Sequence, residues 1–112
     1  MPHDLKQLLL DIEEMIVFVQ NQLDRVSRER YDSDRALRLM VERSLQVIGE
    51  AVVRIRNEHP EHVIQIRDFR RIVQTRNILS HAYDGIDHNI IWQIVQEHLR
   101  LLLEDVRRLI QG

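Results

Sequence analysis

Cysteine is absent from the 112-residue chain, and glycine and proline number only three and two. Without cysteine there can be no disulfide, no thiolate metal site and no thiol nucleophile, a composition that fits a reducing compartment. So few helix-breaking residues, against abundant Leu, Ile, Val, Arg, Glu and Gln, favour helix over sheet, and an all-α protein is expected. Long apolar runs are also lacking. None approaches the ~18 residues that a membrane span requires, and nothing at the N-terminus resembles a basic, then apolar, then small-residue export signal. A cytoplasmic protein with no membrane association is the expectation. Nor is there an excess of one charge: a formal net charge of -2 gives no global attraction to nucleic acid, so any such binding must rest on a local patch.

What is present is enough apolar sequence, 44% of residues, to bury one core, so residues 1–112 are read as a single domain. Four main helical segments are expected, in an up-and-down bundle. In the first, Leu5, Leu8, Ile12, Ile16, Val19, Leu23 and Val26 recur at steps of three and four and draw one apolar stripe. Leu10, Val17 and Phe18 lie off it, consistent with either a second apolar neighbour or a wide buried face. Tyr31-Asp32-Ser33-Asp34 supplies N-cap candidates for a second helix, marked by Leu37, Met40, Val41, Ser44, Ile48, Ala51, Val52 and Ile55 and ending before His59-Pro60. Gly49, inside that helix, costs roughly 1 kcal/mol relative to Ala, and close approach of another backbone would explain it. Glu42 and Glu50 read as solvated or ion-paired structural residues. Asp87 is the expected cap of the fourth helix, whose stripe runs through Ile91, Ile94, Val95, His98, Leu102, Val106 and Leu109.

The third segment, roughly Asp68 to Ala82, breaks its own pattern. Its stripe begins with Phe69, Ile72 and Val73, and helical stepping carries it directly onto Arg76, where a leucine would be expected. Burying a guanidinium is costly unless it is paired or faces a wet cleft. At about 100° per residue from Arg76, Tyr83 falls near -20°, Ser80 near 40°, Asn77 near 100° and His81 near 140°. A polar arc thus replaces the core stripe halfway along the helix, and Gly85 is a plausible C-terminal cap beyond it.

Arginine offers a fork of donors matched to phosphate oxygens, histidine can exchange a proton near neutral pH, and asparagine can orient either. Together they form a minimal kit for cleaving RNA without a metal. RNA carries its own nucleophile, the 2′-hydroxyl, so the protein need only move protons and stabilise charge on the phosphorane. One histidine in the arc is few for both an acid and a base. Two copies meeting across a two-fold axis would supply both, and a homodimer with the site at its interface is expected.

Arg76-Asn77-Ile78-Leu79-Ser80-His81 fits the R-x-x-x-x-H motif of HEPN domains, and its extension to Tyr83 resembles the R-N-x-x-x-H-x-Y form of the HepT-like toxin branch. E-R-S-L-Q-V-I-G-E-A at 42–51, Y-x-G-I-D at 83–87 and I-I-W-Q-I-V at 90–95 are similar to the same branch, so the likeness covers nearly the whole chain. Phe69, where the branch often has tryptophan, and Gln74-Thr75, where it often has Gly-Met, depart from it. The resemblance implies a HEPN-like, dimerising, metal-independent endoribonuclease toxin without a cofactor, with Arg76 and His81 as catalytic residues and Asn77 orienting them. It also implies a minimal nucleotidyltransferase antitoxin that holds the toxin, in a complex that can exceed a dimer, and silences it by AMPylating Tyr83. The phosphates so added would occupy the Arg76 guanidinium. The alternative is a non-catalytic helical dimer that binds a nucleotide or the nucleotidyltransferase on the same arc.

Other features have plainer readings beside functional ones. Arg67, Arg70 and Arg71 either form a track for the RNA backbone or are a solvated basic face. His59-Pro60-Glu61-His62 offers two histidines three apart without a recognisable third ligand, so no metal site is expected. His98 reads as a hydrogen-bonded core or interface histidine, and His88 as exposed. Trp92 suits either a dimer seam or the core.

Overall fold

Aspartate and serine side chains start the helices. In the computed structural model, which describes residues 3–81 and 85–112, the Asp4 carboxylate accepts from the Lys6 amide and opens α1 (Leu5–Gln22). Ser27 accepts from the Arg30 amide at the head of α2 (Arg28–Ser33), and Asp34 accepts from Leu37 at the head of α3 (Arg35–Glu58). Each satisfies an amide that the first helical turn leaves without a partner. A short α4 (Pro60–Val63) leads to α5 (Phe69–His81), which carries the polar arc. Asp87 caps α6 (His88–Gln93), and this helix passes through a π-helical turn, Ile94–His98, straight into α7 (Leu99–Gln111). The result is the expected all-α bundle of four main rods: α3 packs against both α1 and α5, and α1 against α7.

The core is the meeting of the apolar stripes. Ile12, Ile16, Val19, Val41, Leu45, Ile48, Val52, Ile55, Ile94, Leu99, Leu102 and Val106 are buried almost completely, each such side chain contributing about 1.5–3 kcal/mol of transfer free energy. The first stripe is shorter than its periodicity suggests. Helix α1 stops at Gln22, Arg25 takes a left-handed backbone (φ 61°), and Val26 turns back to donate to the Leu23 carbonyl at 3.0 Å. The chain can then bury Tyr31 of α2 against Trp92, with ring centroids 5.1 Å apart. The Tyr31 hydroxyl lies 2.9 Å from Nδ1 of His88. His88 is therefore a half-buried partner of the tyrosine rather than an exposed residue, and burial pushes the Tyr31 hydroxyl well above the ordinary tyrosine range.

Two further departures lie on the last rod. His98, at the end of the π-helical turn, is buried as expected, but neither ring nitrogen reaches a hydrogen-bond partner among the described residues. Burial pushes its pKa below the usual histidine value. Asp105, on the same face one and a half to two turns further on, is wholly buried, accepts from the Arg67 backbone amide at 2.8 Å, and also meets the side chains of Arg67 and Arg108. It ties the segment before α5 to α7. Burial alone would raise the pKa of this carboxyl, but the hydrogen bonds from Arg67 and Arg108 outweigh burial and hold it below the ordinary value. A carboxyl whose folded pKa is depressed contributes stability that is complete above its unfolded pKa, near 3.9, and is lost as pH falls through the folded value. Asp105→Asn is accordingly expected to unfold at lower urea at neutral pH and to show a flatter acid limb than the wild type in a pH series. Parallel curves would remove the carboxylate from this role.

Candidate active site

Helix α5 buries Phe69, Ile72, Val73, Thr75 and Leu79, and Arg76 stands on that side with its side chain 27% exposed. Room for it comes from α3. A Cβ placed on Gly49 would lie 2.3 Å from the Arg76 Cβ and 2.8 Å from its Cγ, distances that non-bonded carbons do not adopt. The close approach expected at Gly49 thus exists, and what approaches is chiefly the aliphatic stem of Arg76. Beyond Gly49, the Glu50 carboxylate takes the guanidinium: one oxygen accepts from Nε at 2.8 Å and lies 2.6 Å from a terminal nitrogen. The other terminal nitrogen donates to the Asn77 side-chain carbonyl at 2.9 Å. Arginine has five N–H donors in a fixed fork, so this arrangement fixes its plane and leaves donors for an oxyanion.

The guanidinium looks into a cleft of about 280 Å³ between α1, α3 and α5, bordered by Asp11, Arg43, Gln46, Glu50, Arg54, Arg76 and Ser80. Its mixed charge, with three arginines against two carboxylates, suits a polyanion that displaces or bridges the acidic groups. Glu50 was expected to be solvated or ion-paired; it is ion-paired, and to the motif arginine itself. Arg43 and Arg54 also border the cleft, although neither breaks an apolar pattern in the sequence. The available signal was their spacing, seven residues before and four after Glu50, which places all three on one face of a helix.

His81 is the last residue of α5, exposed, and outside the set that borders the cleft. Five residues turn a helix by about 140° beyond a full turn, so Arg76 and His81 of one chain face different directions. Tyr83 lies outside the described residues. Of the three outer arginines, Arg67 has its guanidinium on Glu104 and Asp105, Arg70 stacks over the Phe69 ring with 4.8 Å to the centroid, and Arg71 reaches Gln93 at 3.4 Å. His59, Glu61 and His62 gather at the other end of α3.

Residues 8–109 match the model of the family described as "HepT-like: Ribonuclease HepT-like". The chain is 32% identical over 103 residues to a Methanocaldococcus jannaschii protein named "Putative RNase MJ1380", covering 92% of this chain and 94% of that one. It is also 32% identical over 98 residues to the "Probable ribonuclease HepT" of Thermococcus cleftensis, covering 84% of each chain. A third relative, "Putative RNase TTE0752" of Caldanaerobacter subterraneus, is 29% identical and covers 84% of this chain. No solved structure matches it. With an all-helical HEPN-like bundle and a family match spanning nearly its whole length, the chain belongs to the ribonuclease HepT-like family.

Proposed function

We propose that this protein is a metal-independent endoribonuclease toxin acting as a homodimer, with one HEPN-like domain spanning residues 1–112. The observation that carries the reading is Arg76. It is a guanidinium on a core stripe, given space by Gly49, oriented by Glu50 and Asn77, and opened to a cleft instead of being replaced by an apolar residue. Packing violations of this kind concentrate at functional sites. Family membership and the ribonuclease names of the relatives support the same reaction class.

In this mechanism Arg76 holds the scissile phosphate and stabilises the charge that develops on its oxygens. His81 serves as general acid or base, the two copies in the dimer sharing the two proton transfers. The 2′-hydroxyl attacks the adjacent phosphorus, one histidine accepts its proton, the other donates a proton to the departing 5′-oxygen, and a cyclic phosphate remains. Because Arg76 and His81 of one chain point apart, a second chain has a natural place in completing the site. Asn77 keeps the Arg76 fork in plane. Arg70 and Arg71 guide the RNA backbone on the outer face of α5, and Arg67 joins them to the extent that its carboxylate partners yield. Control falls to a nucleotidyltransferase antitoxin of a type VII-like pair, which AMPylates Tyr83 and so sets phosphates competing for Arg76.

The test is cleavage of a labelled RNA pool in excess chelator, using partner-free protein that mass spectrometry shows to be unmodified at Tyr83. Fragments ending in cyclic phosphate are expected. If a folded dimer leaves the pool intact, the catalytic reading fails and the Arg76 cleft is a docking surface for nucleotide or partner. Treating active protein with the nucleotidyltransferase and ATP is expected to add AMP at Tyr83 and abolish cutting; unchanged activity after modification would separate the tyrosine from control.

A further inference from the structure

We propose that His59, Glu61 and His62 form a binding site for a divalent transition-metal ion of the zinc class, remote from the Arg76 cleft and serving to lock the end of α3. Two histidines three apart carry little weight as a sequence pattern. Folding supplies what the pattern lacks: His59 ends α3, Pro60 starts α4, and this corner gathers one donor atom from each of the three side chains within 4.8 Å of one another.

Three features of the corner suit a metal. The first is spacing. Nδ1 of His62 lies 3.2 Å from a Glu61 carboxylate oxygen, and two donors each about 2.1 Å from a tetrahedral zinc ion stand about 3.4 Å apart. The second is that this buried Nδ1 of His62 makes no hydrogen bond among the described residues, the nearby Glu61 oxygen included, a condition that native structures generally avoid or put to use. The third lies in the outer layer of the site. Nε2 of His59 is 2.8 Å from the His3 backbone carbonyl. A carbonyl oxygen only accepts, so Nε2 carries the hydrogen and Nδ1 is left with its lone pair, the arrangement by which a ligand histidine is commonly oriented. His3 is in turn held by Glu58, its amide donating to the carboxylate at 3.0 Å.

Two imidazoles and one carboxylate are a donor set for zinc, nickel, cobalt or copper rather than for magnesium or calcium, which prefer oxygen alone. With Glu61 exposed, water completes the coordination. A bound ion would join α4 to α3 and, through His59 and His3, fasten the N-terminal segment to the same corner. Its expected effect is on stability, not on RNA cleavage.

The experiment uses untagged full-length protein stripped with chelator and titrated with Co²⁺, followed by its visible absorption, and with Zn²⁺, followed by calorimetry and thermal melting. Saturation near one ion per chain and a rise in melting temperature are expected, with affinity falling about ten-fold or more in His59→Gln and His62→Gln. Glu61→Gln alters only an exposed side chain, so it tests the site even if a histidine variant folds poorly. His81→Gln, an exposed histidine elsewhere, should bind as the wild type does. The proposal is overturned if Zn²⁺ leaves the wild-type melt unchanged, or if Glu61→Gln and the histidine variants bind as tightly as the wild type. Because RNA cleavage is assayed in chelator, neither outcome bears on the ribonuclease reading.

Discussion

Replacing His81 with alanine is expected to lower the rate of RNA cleavage by about 10²–10⁴-fold, the usual contribution of a positioned general acid or base, while leaving the melting temperature nearly unchanged. The two halves of this result have separate causes. His81 is exposed at the last position of α5, and surface substitutions of this kind usually shift stability by less than about 0.5 kcal/mol. Its chemistry has no substitute in the arc, since no other imidazole lies there. Arg76→Leu should behave differently. Cleavage should fall as steeply, because the guanidinium that Glu50 and Asn77 orient toward the scissile phosphate is gone, yet stability should be kept or raised. Leucine is what the stripe of Phe69, Ile72 and Val73 calls for, and replacing a partly buried ion pair with apolar packing is often neutral or favourable. Glu50, 46% exposed, can regain water once its partner is gone. Single-turnover cleavage and thermal melting of both variants check this. Wild-type rates in His81→Ala would end the catalytic assignment, and a marked loss of stability in Arg76→Leu would make Arg76 a structural residue.

Local periodicity made much of this legible from sequence. The stripes on α1, α3, α5 and the last rod follow from steps of three and four, and Asp34 and Asp87 act as caps because a short carboxylate at a helix start has a nearby amide to satisfy. Arg76 stood out because it violates a pattern that its own helix sets. What escaped depends on residues distant in the chain. Arg67 reads as part of a basic face, yet its main partner, Asp105, is 38 residues away and buried. The π-helical turn at Ile94–His98 leaves the apolar pattern nearly intact, so nothing local announces it. The break after Gln22 is hidden for the opposite reason: Leu23 and Val26 continue the helical period, and only the burial of Tyr31 shows why the chain turns instead. Glu50 belonged to a class of residue that is usually solvated, and its role appears only when α5 is laid across Gly49.

That crossing yields a prediction in which two effects oppose each other. Gly49→Ala should gain roughly 1 kcal/mol from helix propensity, and on an exposed helix it would stabilise. Here the added methyl would sit 2.3 Å from the Arg76 Cβ. A Cβ is fixed to the backbone, so no rotamer change at Arg76 clears the clash, and α5 must draw away from α3. Overpacking of this kind costs about 1–3 kcal/mol, so the net expectation is destabilisation of up to about 2 kcal/mol. Cleavage should suffer more than stability, because displacing α5 separates the Arg76 fork from the Glu50 carboxylate that orients it. The partner substitutions identify the cause. Arg76→Ala retains the offending Cβ and should not restore stability to Gly49→Ala, whereas Arg76→Gly removes it and should recover most of the packing loss, giving a favourable coupling in a double-mutant cycle. If Gly49→Ala melts above the wild type and cleaves at full rate, α3 and α5 do not approach as closely as this contact requires, and Gly49 is not what gives Arg76 its place in the core.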